Sequence, residues 1–185
     1  MIRAMTDRIL LELSVDANNV IIAINGSWDE FADANDAPQL KKQHVVGKSL
    51  FDYISGNVTR QFVQKLLDIA RQKNTSACFD YRCDAPNLRR YLQMRLIANE
   101  RGEVRISNYQ LHTEPRVAPI FFICSNQRDR HTRVRCSICN LLKQAEQWVE
   151  AESLLKDKEP LTVPVIYGVC PQCQHQLKQL QSSPS

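Results

Sequence analysis

Four of the seven cysteines fall into two pairs of identical spacing, Cys136-Ser-Ile-Cys139 and Cys170-Pro-Gln-Cys173. The tight turn of a C-x-x-C pair lets both sulfurs face one point, and two such turns close a tetrahedron around Zn²⁺. Cys136, Cys139, Cys170 and Cys173 are therefore the candidate ligands of one structural zinc ion. With four sulfurs in place, no position stays open for a reacting water, and no general base lies near in sequence. His175 follows Cys173 by two residues as a substitute ligand that a complete tetrahedron does not need. The competing chemistry is a redox dithiol at Cys170-Pro-Gln-Cys173. That needs a strand before the pair and a helix at it, whereas the helical pattern here comes before the strand, and the first pair would have no role.

Two arginine groups are the other candidates. Arg128, Arg130, Arg133 and Arg135 stand against one aspartate between Asn126 and Arg135, a local +3 ahead of the first cysteine pair. Positive charge there favours thiolates, and a phosphate-contacting arm is the sharper alternative. Interleaved aromatics and a recognition helix are missing, so a solvated linker takes precedence over a nucleic-acid contact. Arg82, Asp84, Arg89 and Arg90 gather around a turn and could receive an anionic ligand or a partner's carboxylates through forked bonds. Asp84 capping the turn and pairing with a neighbouring arginine is the commoner arrangement and the preferred one.

The elements that must position these residues follow from periodicity. Ile9–Val15 and Val20–Ile24 read as a hairpin around Asp16-Ala-Asn-Asn19, and Trp28 and Phe31 fall on one face of a helical turn. Gly47 sits in a turn that feeds a short helix at Leu50–Ile54. Asn57 starts a longer helix in which Phe62, Leu66, Ile69 and Ala70 recur at helical spacing. Strands are expected at Ala77–Cys83, Tyr91–Ile97 and Val104–Leu111, with Leu92, Met94 and Leu96 on one buried face. Between the cysteine pairs, Leu141, Ala145, Trp148 and Val149 predict a helix, and Leu161–Val169 an extended segment. Cys78 and Cys83 point to opposite faces of their strand and form no pair. His44 and His112 read as solvated side chains.

Two strands, several short helices and three strands, together with Asn25-x-x-Trp28-x-x-Phe31 and Val46-Gly47-Lys48-Ser49-Leu50, resemble a PAS domain over residues 8–117. Tyr81-Arg-Cys-Asp84-x-Pro86-x-x-Arg89-Arg90, Cys136-x-x-Cys139 and Tyr167-Gly-Val-Cys170-Pro-x-Cys173 resemble a bacterial group of PAS-like proteins with a C-terminal cysteine-pair module. The resemblance implies a sensor or adaptor in signal transduction that works by protein contact and names no reaction. It leaves room for a small-molecule ligand and a homodimer. It matches neither the Asn-Cys-Arg-Phe motif of the flavin-binding subclass nor a haem-ligating histidine in the long helix, so neither cofactor is expected.

The expected organisation is an α+β chain: a PAS-like antiparallel sheet with short helices at 8–117, a basic connector at 118–135, a small zinc-stabilised α/β module at 136–178, and a disordered tail at 179–185. A segment of about 55 residues sits where small domains need a metal or disulfide, which gives the cysteines a physical purpose. The net charge of +4 does not by itself call for nucleic acid. An odd cysteine count and the lack of a signal-peptide run point to a reducing cytoplasm, and no stretch reaches membrane-span length.

Overall fold

The computed structural model describes residues 9–34, 36–73, 76–125 and 127–182. Residue 8, Asn126 and residues 183–185, which the sequence assigns to the first domain, the connector and the tail, lie outside the described residues.

The first half opens with β1 (Ile9–Val15) and β2 (Ile21–Gly26), paired antiparallel. Asp16 makes the turn, its carboxylate accepting the N–H groups of Asn18 and Val20 at 2.8 Å each. Short helices follow: α1 (Trp28–Ala34), a single turn at Pro38–Leu40, α2 (Lys42–Val45) and a turn at Leu50–Tyr53. Trp28 of the aromatic pair anchors this stretch by donating its Nε1 hydrogen to the Leu40 carbonyl at 2.6 Å. The long helix α3 (Asn57–Lys73) precedes β3 (Ala77–Arg82), β4 (Leu88–Ala98) and β5 (Val104–Pro115). The strands order as β2-β1-β5-β4-β3, antiparallel throughout. One face of this sheet packs on α3, whose Phe62, Leu66, Leu67, Ile69 and Ala70 are buried. Phe62 meets Phe79 edge to face, with centroids 5.3 Å apart, so side chains fill the space between helix and sheet. Each such apolar burial contributes about 1.5–3 kcal/mol. This half is α+β with an antiparallel sheet and few helices, as a PAS-like fold requires.

The second half departs from expectation in three places. The stretch expected as a connector supplies two strands, β6 (Ile120–Cys124) and β7 (Arg133–Cys136), each parallel to β10 (Leu161–Gly168). The β-branched and aromatic run Ile120-Phe-Phe-Ile-Cys124 is a strand once β10, some forty positions on, offers it an edge. The helix expected from Leu141, Ala145, Trp148 and Val149 is instead a hairpin of β8 (Leu142–Gln144) and β9 (Gln147–Val149), followed by a single turn at Ala151–Leu154. Ala145 takes a left-handed φ of 51° to close it. In so short a window the helical spacing of Leu141, Ala145 and Trp148 competes with alternation, and β7 decides for strand by pairing Arg135 with Leu142. The described part of the tail expected to be disordered, 179–182, is instead the end of the helix α4 (Pro171–Ser182). Leu177 and Leu180, three apart, give it an apolar edge that packs into the core of the first half.

The second sheet orders as β6-β10-β7-β8-β9. Its own core is small: Ile120, Leu142, Ala151, Val163 and Val165. Cys136, Ile138, Val169, Cys170, Cys173 and Leu177 belong instead to the core around α3. The halves approach closely at Gly56, which holds φ +83° with the Tyr167 Cβ 3.8 Å from where a side chain would start.

Candidate metal centre

Cys136 ends β7, and the chain turns on itself immediately. The Asn140 N–H donates to the Cys136 carbonyl at 3.0 Å and the Cys136 N–H to the Leu141 carbonyl at 2.8 Å. Asn140 holds a left-handed φ of 63°, a conformation asparagine tolerates better than most residues. This knuckle presents Cys136 and Cys139 to one side. The second pair comes from the entrance of α4, with Cys170 just before the helix, Pro171 at its first position and Cys173 in its first turn. Backbone N–H groups of Cys170 and Cys173 point at sulfur, reaching Cys136 Sγ and Cys170 Sγ at 3.4 Å each.

All four sulfurs lie within 4.8 Å of one another. Cys136 Sγ is 3.9 Å from Cys173 Sγ, and Cys139 Sγ is 3.7 Å from Cys170 Sγ. A tetrahedron with Zn–S bonds of about 2.3 Å has edges of about 3.8 Å, whereas a disulfide needs about 2.05 Å. The spacing suits a metal ion and not a covalent pair. Cys136, Cys170 and Cys173 are buried and Cys139 is half-buried. Electrostatics argue the same way. Hydrogen bonds from Cys139 and Cys173 hold the Cys136 thiol down to about 2, while Cys139 is pushed up to about 12 by that same neighbour and Cys173 is also pushed up. Thiolates at these distances repel one another, and a cation among them favours the deprotonated form. Four sulfurs around one point suit zinc or iron. The group could hold a metal ion such as zinc, with all four positions taken by protein.

The strand, cysteine pair and helix order that a dithiol would need is present after all, because α4 follows β10. The sulfurs of the first pair nevertheless lie against both members of the second. His175 is exposed on α4 and outside the cluster. Cys78 is exposed, and the half-buried Cys83 thiol is pushed up by its burial. His44 is exposed, and His112 stacks on Tyr91 with centroids 4.1 Å apart.

The turn arginines do not present a vacant anion site. Asp84, whose side chain is 1% exposed, binds Arg82 at 2.6 Å and Arg116 at 2.6 Å, and accepts the Arg90 N–H. Arg82 reaches on to Glu150 at 2.7 Å, Arg89 to Glu152 at 2.9 Å, and Arg116 also binds Glu152. Arg90 donates to the Cys83 carbonyl and lies over Phe31. Asp84 thus makes the turn contacts of the preferred reading, and the further carboxylates around these arginines, Glu150 and Glu152, come from the chain's own second half. Burial alone would lower the Arg82 pKa, but Asp84 and then Glu150 outweigh it and the net shift is upward. For Glu152 burial pushes up, and the Arg89 hydrogen bond with the nearby arginine charges turns the net shift downward. Arg116, Glu150 and Glu152 had no signal in sequence, being 32 to 68 positions from their partners.

Two further bonds tie the halves. The Arg82 N–H, on the edge strand β3, donates to the Ile138 carbonyl of the knuckle at 2.8 Å, and the Thr59 and Ser137 hydroxyls lie 2.6 Å apart. The four connector arginines form no common patch: Arg128 and Arg130 are exposed, Arg133 is half-buried and Arg135 is buried. Asp129 organises their loop, accepting from Thr132 Oγ1 at 2.9 Å and from the N–H groups of His131 and Thr132 at 2.8 Å each.

No family model matches the chain. No curated protein matches it either. Among solved structures, the chain resembles the wild-type PAS-B domain of Cycle from Drosophila melanogaster, determined with bound ethylene glycol. The TM-score is 0.38 and the identity 11%, over 54% of this chain and 98% of that one. Likeness at that level carries no argument, and the PAS-like description stands on the element order set out above.

Proposed function

We propose that this chain is a bacterial sensor or adaptor of signal transduction, in which a PAS-like sheet carries a zinc-clasped module that docks a protein partner. It acts in the cytoplasm by binding and not by catalysis. Cys136, Cys139, Cys170 and Cys173 would hold the ion, which would supply structural cross-linking of the knuckle to α4. The observation that carries this reading is the shared core. Cys136, Cys170, Cys173 and Leu177 pack with Phe62 and Leu66 of α3, so a shift in the sheet or α3 reaches the cysteine module by direct contact. Of the stretch expected as a basic connector, Ile120–Cys124 and residues 133–135 lie in strands of the second sheet. A ligand or a change of dimer geometry would act by favouring one arrangement of this contact.

Native mass spectrometry of protein purified from its own cell tests the reading, since it reports metal, ligand, oligomeric state and partner together. One zinc per chain and a co-purifying protein are expected. Protein prepared without chelator or oxidant and containing no metal would defeat the zinc assignment, while a metal-loaded chain that co-purifies with nucleic acid would replace docking by the nucleic-acid reading. The exposed Arg128 and Arg130 favour that second reading, and steeply salt-dependent affinity for DNA or RNA would be its signature.

A further inference from the structure

Arg135 is the arginine of the basic stretch that the fold buries. It stands on β7 and is 9% exposed. Its guanidinium carbon lies 4.0 Å from the centroid of the Phe122 ring, and its Nε is enclosed without a hydrogen-bond partner. Among the described residues it forms no ion pair. The carboxylates of the region are already committed, Asp84 to Arg82 and Arg116 and Glu152 to Arg89 and Arg116. The Tyr167 hydroxyl is a polar neighbour, and Asp84, paired with other arginines, acts on it from the same cavity wall without forming an ion pair. A guanidinium withdrawn from water without an anion is costly, and an aromatic face offsets only part of that cost.

The same side chain lines a cavity of about 550 Å³ beside the edge strand β6. Phe122, Ile120 and Pro86 give it apolar walls, and Tyr167 and Thr162 add hydroxyls. An apolar hollow with a few convergent polar groups and one forked cation is the ordinary form of a site for a small acid. Asp84 also lines the cavity. Arg82 and Arg116 already balance its charge, so Arg135 is the cation left to the cavity, and one guanidinium fork among apolar walls matches a monocarboxylate better than a phosphate dianion.

We propose that this cavity binds a small organic monocarboxylate with an apolar body. Arg135 and the Tyr167 hydroxyl take the carboxylate, and Phe122 and Ile120 take the body. The proposal stands apart from the metal assignment and from the sensor reading. If that reading holds, the ligand enters at the second sheet and not between α3 and the first.

The test is calorimetry of the intact, metal-loaded chain against benzoate, hexanoate, benzamide and inorganic phosphate, with metal content and melting temperature recorded for every variant. Saturable binding of benzoate or hexanoate is expected, with benzamide and phosphate at least about tenfold weaker. Arg135→Gln is expected to lower carboxylate affinity at least about tenfold, and Tyr167→Phe about threefold. Absence of saturable carboxylate binding into the millimolar range overturns the site. So does equal binding of benzoate and benzamide, or unchanged affinity in Arg135→Gln. Phosphate binding as well as benzoate overturns the ligand class. Should Arg135→Gln fail to fold, Tyr167→Phe and the benzamide comparison decide, and unchanged values in both reject the proposal.

Discussion

Both halves of this molecule are built on five-stranded sheets, yet they are held together by different means. The antiparallel sheet has a seventeen-residue helix of its own, and α3 covers one face with buried phenylalanine and leucine. The mixed sheet has only the small cluster of Ile120, Leu142, Ala151, Val163 and Val165 as its own core and leans on the first half for the rest. Where a short chain cannot bury enough apolar surface, cross-links do the remaining work. Here they are a sulfur cluster and a buried ion network, which adjoin where the Arg82 N–H meets the Ile138 carbonyl.

That contrast is sharpest at the cysteines. Cys170→Ser should release the metal and unfold the second sheet, because binding of a structural zinc ion is worth about 10–16 kcal/mol in small modules. Metal analysis with hydrogen exchange would show β7 to β10 exchanging freely while β4 and β5 stay protected. Retained metal together with a protected Trp148 would break the four-ligand assignment. Equal loss of protection in both sheets would instead show that the shared core makes the halves one unit.

The ion network predicts a smaller effect. Asp84→Asn removes the carboxylate shared by Arg82 and Arg116, whose side chains are 7% and 1% exposed, leaves them Glu150 and Glu152, and should cost about 1.5–3 kcal/mol by urea denaturation. Glu114→Gln, which removes a partner that is 45% exposed from Arg89, should cost at most about 1 kcal/mol. Similar values for the two would mean that the buried pair carries no special weight. Thr59→Val, which strands the Ser137 hydroxyl, should cost about 1 kcal/mol.

The smallest effect is one of pH. Glu152 titrates below its ordinary 4.5 in the folded chain. Its contribution is therefore complete above that value and is lost as pH falls through the folded pKa. The urea midpoint should drop in that acid range and drop less in Glu152→Gln. An acid limb identical in the variant would remove Glu152 from the account.

Local spacing carried most of what could be read in advance. The C-x-x-C pairs are self-contained turns, and the alternation of Leu92, Met94 and Leu96 is visible within seven positions. The apolar stripe of α3 is equally local, and each of these needs only its own neighbours to form. Leu142 to Val149 went the other way, since eight residues suit a helix or a hairpin and only the edge of β7 selects the hairpin. Ile120–Cys124 was visible as an apolar run, but nothing near it in sequence says that Leu161–Val165 is its partner.

By itself, the sequence determined the chemistry available: four thiols at metal spacing, a sheet-and-helix first half, and arginines in excess around two turns. Tertiary structure decided what each arginine is for. It carried Glu150 and Glu152 across more than sixty positions to Arg82 and Arg89, and it buried Arg135 on Phe122 without an acid. The physical reason is the range of the forces involved. Turn geometry and periodicity act between near neighbours in the chain, whereas an ion pair depends on distance through space and on exclusion of water, which only the packed halves provide.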